Sequence, residues 1–346
     1  MELKLTPLGF LVYLVMAVYL ATAAAYFARL RRLGEGLYAF GFVVAAAAFG
    51  LRWYQVNHAP LQNLFEVCLC LGMLIWPITL FCRRFLGVAD EAADALIGFI
   101  ILFPAGFIFK AGMQHLPPAL QSPLFIPHVA AYMLAYVIMA KAAVQALGAL
   151  EWRTRLAILV FVAHRVGLIL AFSYLVRVAP PHETMWWNPL GWVLMPSMTA
   201  LYHAAGGEWT VGVILGTFSD LVVNVGMAAL LATAKALQAE TRAGCEQGAY
   251  RVTALGFPLL TLGLLLGAVW GKIAWGDYWN WDPKELWSLI SWLVFLGYFH
   301  FRYMYGRRFP RINASLVLAG LAAIILTLLW VNLATLFKGG MHSYAS

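Results

Sequence analysis

The sequence predicts an all-α protein: a polytopic bundle of membrane-spanning helices, about ten in number. Three observations lead there. Of 346 residues, 63% are hydrophobic and only 11% charged, against about a quarter charged in soluble domains. Apolar runs of roughly 20 residues recur along the whole chain, the length a helix needs to cross ~30 Å of hydrocarbon. The runs are continuous rather than alternating, which excludes a β-barrel.

Taken in order, the spans fall near 8–30, 36–57, 63–82, 93–112, 128–150, 156–178, 209–237, 253–273, 287–304 and 313–335. The first run is long enough to be retained rather than cleaved as a signal peptide. Basic residues gather in alternate loops: Arg29, Arg31 and Arg32; Arg83 and Arg84; Arg153 and Arg155; Arg242 and Arg251; and Arg302, Arg307, Arg308 and Arg311. The positive-inside rule makes those loops cytoplasmic. An even number of spans then puts both termini outside. Outside with them are the loops near 58–62, 113–127, 179–208 and 274–286 and the tail 336–346. The expected setting is a bacterial inner or plasma membrane, or a thylakoid-type membrane, in contact with lipid throughout.

The net charge of +8 comes from these orientation clusters, so nucleic-acid binding is not expected. The exterior stretch 179–208 carries Pro180, Pro181, His182, Trp186, Trp187, Trp192 and His203 with an apolar run too short to span. A segment lying at the interface is expected there. No repeat, low-complexity tract or soluble domain interrupts the chain, so residues 1–346 read as one membrane domain. Cys68, Cys70, Cys82 and Cys245 form no CxxC or zinc-like spacing and are expected as buried small side chains.

Residues 270–287 are the most distinctive segment: Trp270, Trp275, Trp279, Trp281 and Trp287 with Tyr278, around the charged turn Asp282-Pro283-Lys284-Glu285. One reading is an interfacial aromatic belt, with Asp282 as a helix N-cap, Pro283 at the first helical position and Glu285 closing a capping box. A belt, however, scatters its rings over many helix ends, whereas Trp275, Trp279 and Trp281 share one short loop. That concentration suits a large planar ligand with a polar edge such as haem, with Lys272 and Lys284 near its propionates.

The run from Tyr250 through Pro258 to Gly263 continues into Trp275-Gly-Asp-Tyr-Trp-Asn-Trp-Asp-Pro-Lys-Glu-Leu-Trp287 and on to Trp292. It closely resembles the CcsA/ResC cytochrome c biogenesis proteins, the System II cytochrome c synthase branch of the tryptophan-rich (WWD) haem-handling superfamily that also holds CcmC and CcmF. The resemblance extends through Tyr298, His300 and Arg302 to Asn332, Met341, His342 and Tyr344. It is weaker over Arg52, Trp53, His58, Pro60, Asn63 and Glu66 and over Gln121, Ser122 and His128. Residues 250–346 match strongly, 50–140 recognisably, and 150–245 do not.

The resemblance implies an external tryptophan domain that binds haem b between two external histidines, which fall by motif on His128 and His342. Trp275, Trp279, Trp281 and Asp282 belong to the same site, with Lys284 as a candidate at the propionates. It also implies presentation of the haem vinyl groups to the CxxCH thiols of apocytochrome c, with a CcsB/ResB-type membrane partner. No side chain here is assigned as a bond-making catalytic group. Positioning is the protein's contribution, if it is part of a holocytochrome c synthase.

Eight histidines are present, and spacing alone does not choose a ligand pair from the exterior ones, His58, His115, His128, His182, His203 and His342. His164 and His300 lie inside expected spans, where ionisable groups are costly. His300 matches the family's transmembrane histidine, which helps haem enter from the cytoplasmic side. His164, at matching depth, His58 or a partner protein is a candidate for the second ligand there, and a histidine hydrogen-bonded between helices is the plainer alternative. Arg52 with Glu66, and Arg165 with Asp220, are expected as structural ion pairs. Two rival functions stand beside the synthase reading. One is a CcmC-like haem chaperone or exporter without ligase activity; the other is a solute transporter whose tryptophans form a belt.

Overall fold

The structure is a computed structural model and describes residues 4–112, 121–150, 155–157, 159–160, 163–164, 223–224 and 239–330. Every regular element in it is helical. The helices are α1 (Pro7–Phe27), α2 (Arg31–Val56), α3 (Leu64–Phe81), α4 (Glu91–Phe107), α5 (Phe125–Gly148), α6 (Ala239–Trp275), α7 (Pro283–Tyr305) and α8 (Pro310–Ile325). Short π-helical turns, Cys82–Leu86 and Leu326–Trp330, follow α3 and α8.

These eight helices lie on eight of the expected spans. Six are long and apolar enough to cross a membrane: α1, α2, α3 with its π turn, α5, α6 from Gly244, and α8 with the turn after it. α4 falls short at 17 residues and carries Pro104. α7 has the length, but Lys284, Glu285 and Arg302 and its tryptophan and tyrosine tips lower its hydropathy. The spans expected near 156–178 and 209–237 lie almost wholly outside the described residues, as does the interfacial segment 179–208. The expected loop holding Arg242 and Arg251 is instead helix, because α6 runs 37 residues, ~55 Å at 1.5 Å each. Basic residues that mark the membrane boundary here ride on a helix longer than the bilayer is thick.

Helix starts follow local chemistry. Thr6 accepts from Gly9 N at 3.1 Å at the head of α1, and Asn63 accepts from Glu66 N at 2.9 Å at the head of α3. Pro7, Pro283 and Pro310 occupy first helical positions, where no N–H is needed. Asn57, at φ 56°, ends α2 in the left-handed conformation that asparagine tolerates.

The chain divides into two compact units. Among the described residues, the first comprises 4–112, 121–149 and 243–327, and the second those between 150 and 242 together with 328–330. In the first, close helix approach rests on small residues, as is usual in lipid. The buried Tyr19 ring lies where a side chain on Gly41 or Gly98 would be, and its hydroxyl donates to the Gly72 carbonyl at 2.7 Å. Outward faces carry large apolar side chains such as Phe10, Val43, Leu265 and Tyr303, the surface lipid requires. The described residues of the second unit include short helical pieces, and the half-buried His164 lies in one of them.

Two polar ends organise the first unit. At one, Arg83 bonds Glu35 at 2.9 Å and Glu91 at 3.1 Å, Arg251 donates to the Leu86 carbonyl, and the buried Lys141 pairs with Asp94. Near the same termini of α6 and α7, Glu246 takes two bonds from Arg302, at 2.8 and 3.0 Å, and one from Asn313. At the other end, Arg52 pairs with Glu66 at 2.8 Å and caps the carbonyls of Ala111 and Gly112. Among the described residues of this unit, Arg31, Arg83, Arg251 and Arg302 gather at the first end, and the tryptophan segment lies at the second.

Cys68, Cys70 and Cys82 are buried, as expected, while Cys245 is half-buried, and none of the four is joined in a disulfide. Arg165 and Asp220 lie outside the described residues.

Candidate functional site

The site grows from the first turns of α5 and the last turns of α6, which lie side by side. His128, in the first turn of α5, puts its Nδ1 2.8 Å from the carbonyl oxygen of Gly263 on α6. A carbonyl can only accept, so Nδ1 carries a proton, and in the neutral form of the ring Nε2 keeps the lone pair. The imidazole stands edge-on to Tyr132, 5.1 Å between centroids, and 5.5 Å from the indole of Trp270. Trp270 is 2% exposed and also touches Phe125 at 5.5 Å and Trp275 at 6.1 Å. Aromatic contacts thus run without a break from His128 into the tryptophan segment.

α6 ends at Trp275 and the chain turns at Gly276, whose φ of 90° suits glycine. The Lys272 ammonium donates to the Gly276 carbonyl and lies 5.5 Å from the Tyr278 ring centroid. Trp279 and Trp281 meet edge to face at 6.1 Å. Trp281 is 69% exposed and adopts φ 58°, a left-handed conformation that a bulky side chain rarely takes.

The following helix start holds that geometry. Asp282 caps α7 by accepting from Lys284 N at 2.9 Å. The Glu285 carboxylate reaches back to Asn280 N at 2.7 Å and Asp282 N at 3.2 Å. This is the capping box the sequence suggests, so Asp282 acts on the site by fixing the loop. Burial pushes the Lys284 ammonium down to about 8, against the opposing pull of the Asp282 carboxylate.

Of the residues singled out in the sequence, His128 and Trp275 share one aromatic cluster through Trp270, and Trp279, Trp281 and Asp282 share the adjoining loop, with Lys284 in the first turn of α7. His342 lies outside the described residues. His300 is exposed on α7, two residues before Arg302, which Glu246 holds. His164 belongs to the second unit and His300 to the first. His58, at the end of α2, places Nδ1 3.0 Å from the Ala59 carbonyl. Gly263 and Gly267 escape a reading that looks for polar side chains; their spacing of four, a small-residue track on one helix face, is the signal that reveals them.

The cluster suits haem on two counts besides its ring faces. The Nε2 lone pair of a backbone-anchored imidazole is the donor iron takes. Three buried donors, Trp270 Nε1, Trp279 Nε1 and Asn280 Nδ2, have no acceptor among the described residues, and a carboxylate-bearing ligand would supply one.

A protein named cytochrome c biogenesis protein CcsA from Gloeobacter violaceus is 31% identical over 344 residues, covering 96% of this chain and 92% of that protein. Proteins of the same name from a Synechococcus and a Synechocystis species are 33% and 32% identical, covering 86% and 90% of the chain and 81% and 87% of their own lengths. Residues 36–337, with His128 and the whole tryptophan segment among them, match the cytochrome C assembly protein family, and the chain is an integral membrane member of that family.

Proposed function

We propose that this chain serves cytochrome c biogenesis by holding haem at the tryptophan segment and presenting it for covalent attachment to apocytochrome c. Haem is the cargo and a substrate here. The observation that carries the reading is the contact of His128 with Trp270, which joins the α5 histidine to the aromatic loop the family resemblance singles out.

In this reading His128 and His342 are the axial ligands, saturating the iron from two distant parts of the chain. Trp275, Trp279 and Trp281 give the porphyrin ring faces, and Lys284 with the orphaned indole and amide donors receives its carboxylates. Asp282 and Glu285 hold the loop in register. Each apocytochrome thiol adds across one vinyl group: a C–S bond forms at one carbon and the proton ends on the other, with no net electron transfer. Orientation is then the protein's main contribution, shared with a CcsB/ResB-type partner. His300, with His164, His58 or a partner's histidine as its counterpart, serves haem uptake from the opposite side of the membrane.

Reconstitution of the purified chain with its membrane partner, haem and an apocytochrome tests the reading. Haem on the cytochrome that survives acid-acetone extraction is the expected result. Binding without attachment would instead assign the chain to haem chaperoning.

A further inference from the structure

We propose that Gly263 and Gly267 are positioning residues that seat the His128 imidazole on α6 and fix its tautomer, so that Nε2 is the nitrogen turned to a metal. The consequence for iron rests on the haem reading above; the seat itself rests on geometry alone.

A helical carbonyl already accepts from the N–H four residues on, and its second lone pair is normally screened by the side chains of the next turn. For Gly263 the residue four on is Gly267. A Cβ added at Gly267 would stand 2.6 Å from His128 Cε1 and 3.0 Å from Nδ1, within the space the ring occupies. The missing side chain is therefore what lets an imidazole from α5 reach the Gly263 carbonyl at 2.8 Å. A Cβ added at Gly263 would meet the Tyr132 ring at 3.0 Å, and Tyr132 in turn backs the imidazole edge-on. Trp270 closes a third side. Two glycines, one tyrosine and one tryptophan thus form a slot around the ring, and the bond to the Gly263 carbonyl selects the orientation that turns Nδ1 towards α6.

The bond has a chemical effect as well as a steric one. Donation of Nδ1–H to a carbonyl fixes the tautomer and raises the donor strength of Nε2, the role outer hydrogen bonds play around metal-ligating histidines. An imidazole expelled from the slot loses both.

Gly267→Ala tests the proposal, with Gly256→Ala as a packing control. An added Cβ at Gly256 also crowds α5, at 2.9 Å from Ile138 Cγ2, but does not touch the imidazole. In haem-free protein, nitrogen-15 NMR of labelled imidazoles, with His128→Ala to assign the signal, should show the Nδ1–H tautomer in wild type and Gly256→Ala. Gly267→Ala should lose it. On haem titration, Gly267→Ala should bind about 10–100-fold more weakly, with ligation restored by added imidazole. If Gly267→Ala does not fold, the double variant Gly267→Ala/His128→Ala should fold again, because the clashing ring is gone; a double variant that stays unfolded counts against the slot. An Nε2–H tautomer in wild type, or a Gly267→Ala protein with unchanged tautomer and ligation, would overturn the proposal. Wild type that shows the Nδ1–H tautomer but takes up no haem removes the haem reading and leaves the seat intact.

Discussion

Arg52 and Glu66 form a buried ion pair, 2.8 Å from Nη2 to Oε1, with side chains 4% and 0% exposed. Its geometry is complete: Glu66 also accepts from Gln62 N, and Arg52 also donates to Ala111 and Gly112 carbonyls. The pair therefore ties α2 and α3 to the segment after α4 at the end of the unit that carries the tryptophans. Glu66→Ala leaves a buried guanidinium without its counter-charge and should destabilise the protein by about 3–5 kcal/mol. Thermal unfolding in detergent checks this. Arg52→Met/Glu66→Leu should be markedly milder than either single change, since replacing both partners removes the uncompensated charge.

Lys284 gives a pH dependence with a definite sign. Its folded value is about 8 against an ordinary 10.5, so between those pH values the unfolded chain binds more protons than the folded one. Stability should rise with pH across that window, and Lys284→Met should flatten the rise. If its ammonium receives a haem carboxylate, haem affinity should fall as pH climbs past about 8, by at most about tenfold per unit. Parallel melts and haem titrations between pH 7 and 10.5 measure both.

The left-handed φ of Trp281 sets stability against function. Trp281→Gly should release backbone strain of about 1–3 kcal/mol, leaving the protein at least as stable by thermal melt. It also deletes an exposed indole, so haem binding should weaken. Lost stability together with unchanged haem affinity would mark Trp281 as a packing residue.

Glu285 holds two backbone N–H groups of the loop. Glu285→Ala should cost about 0.5–2 kcal/mol and loosen Trp279 and Trp281, seen as reduced near-ultraviolet circular dichroism. Glu285→Gln should retain most of both, because an amide oxygen still closes the box.

Much of this was legible in the sequence, and what was missed has physical causes. Hydropathy marks where α1, α2, α3, α5 and α8 lie because lipid demands uniform apolarity. It says little about α6 beyond the membrane boundary, where the helix runs on through Arg242 and Arg251. The capping box is readable from four residues, since Asp282, Pro283 and Glu285 act only on neighbours. Arg52 and Glu66 are readable as a pair because each is costly alone. Lys141 and Asp94 escaped because they lie on helices far apart in sequence, and so did Glu246 and Arg302. The His128 seat was least legible: its parts are a backbone carbonyl and an absent side chain, which appear only when two helices are brought together.

Ligation of haem by His128 and His342 against the tryptophan loop would be read out in the ferrous absorption spectrum of purified, haem-loaded wild type, His128→Gly and His342→Gly, each with and without imidazole. Wild type should be low-spin, each variant should lose haem or change spin state, and imidazole should restore the wild-type spectrum in both. Three identical spectra without imidazole would mean that neither histidine ligates the iron.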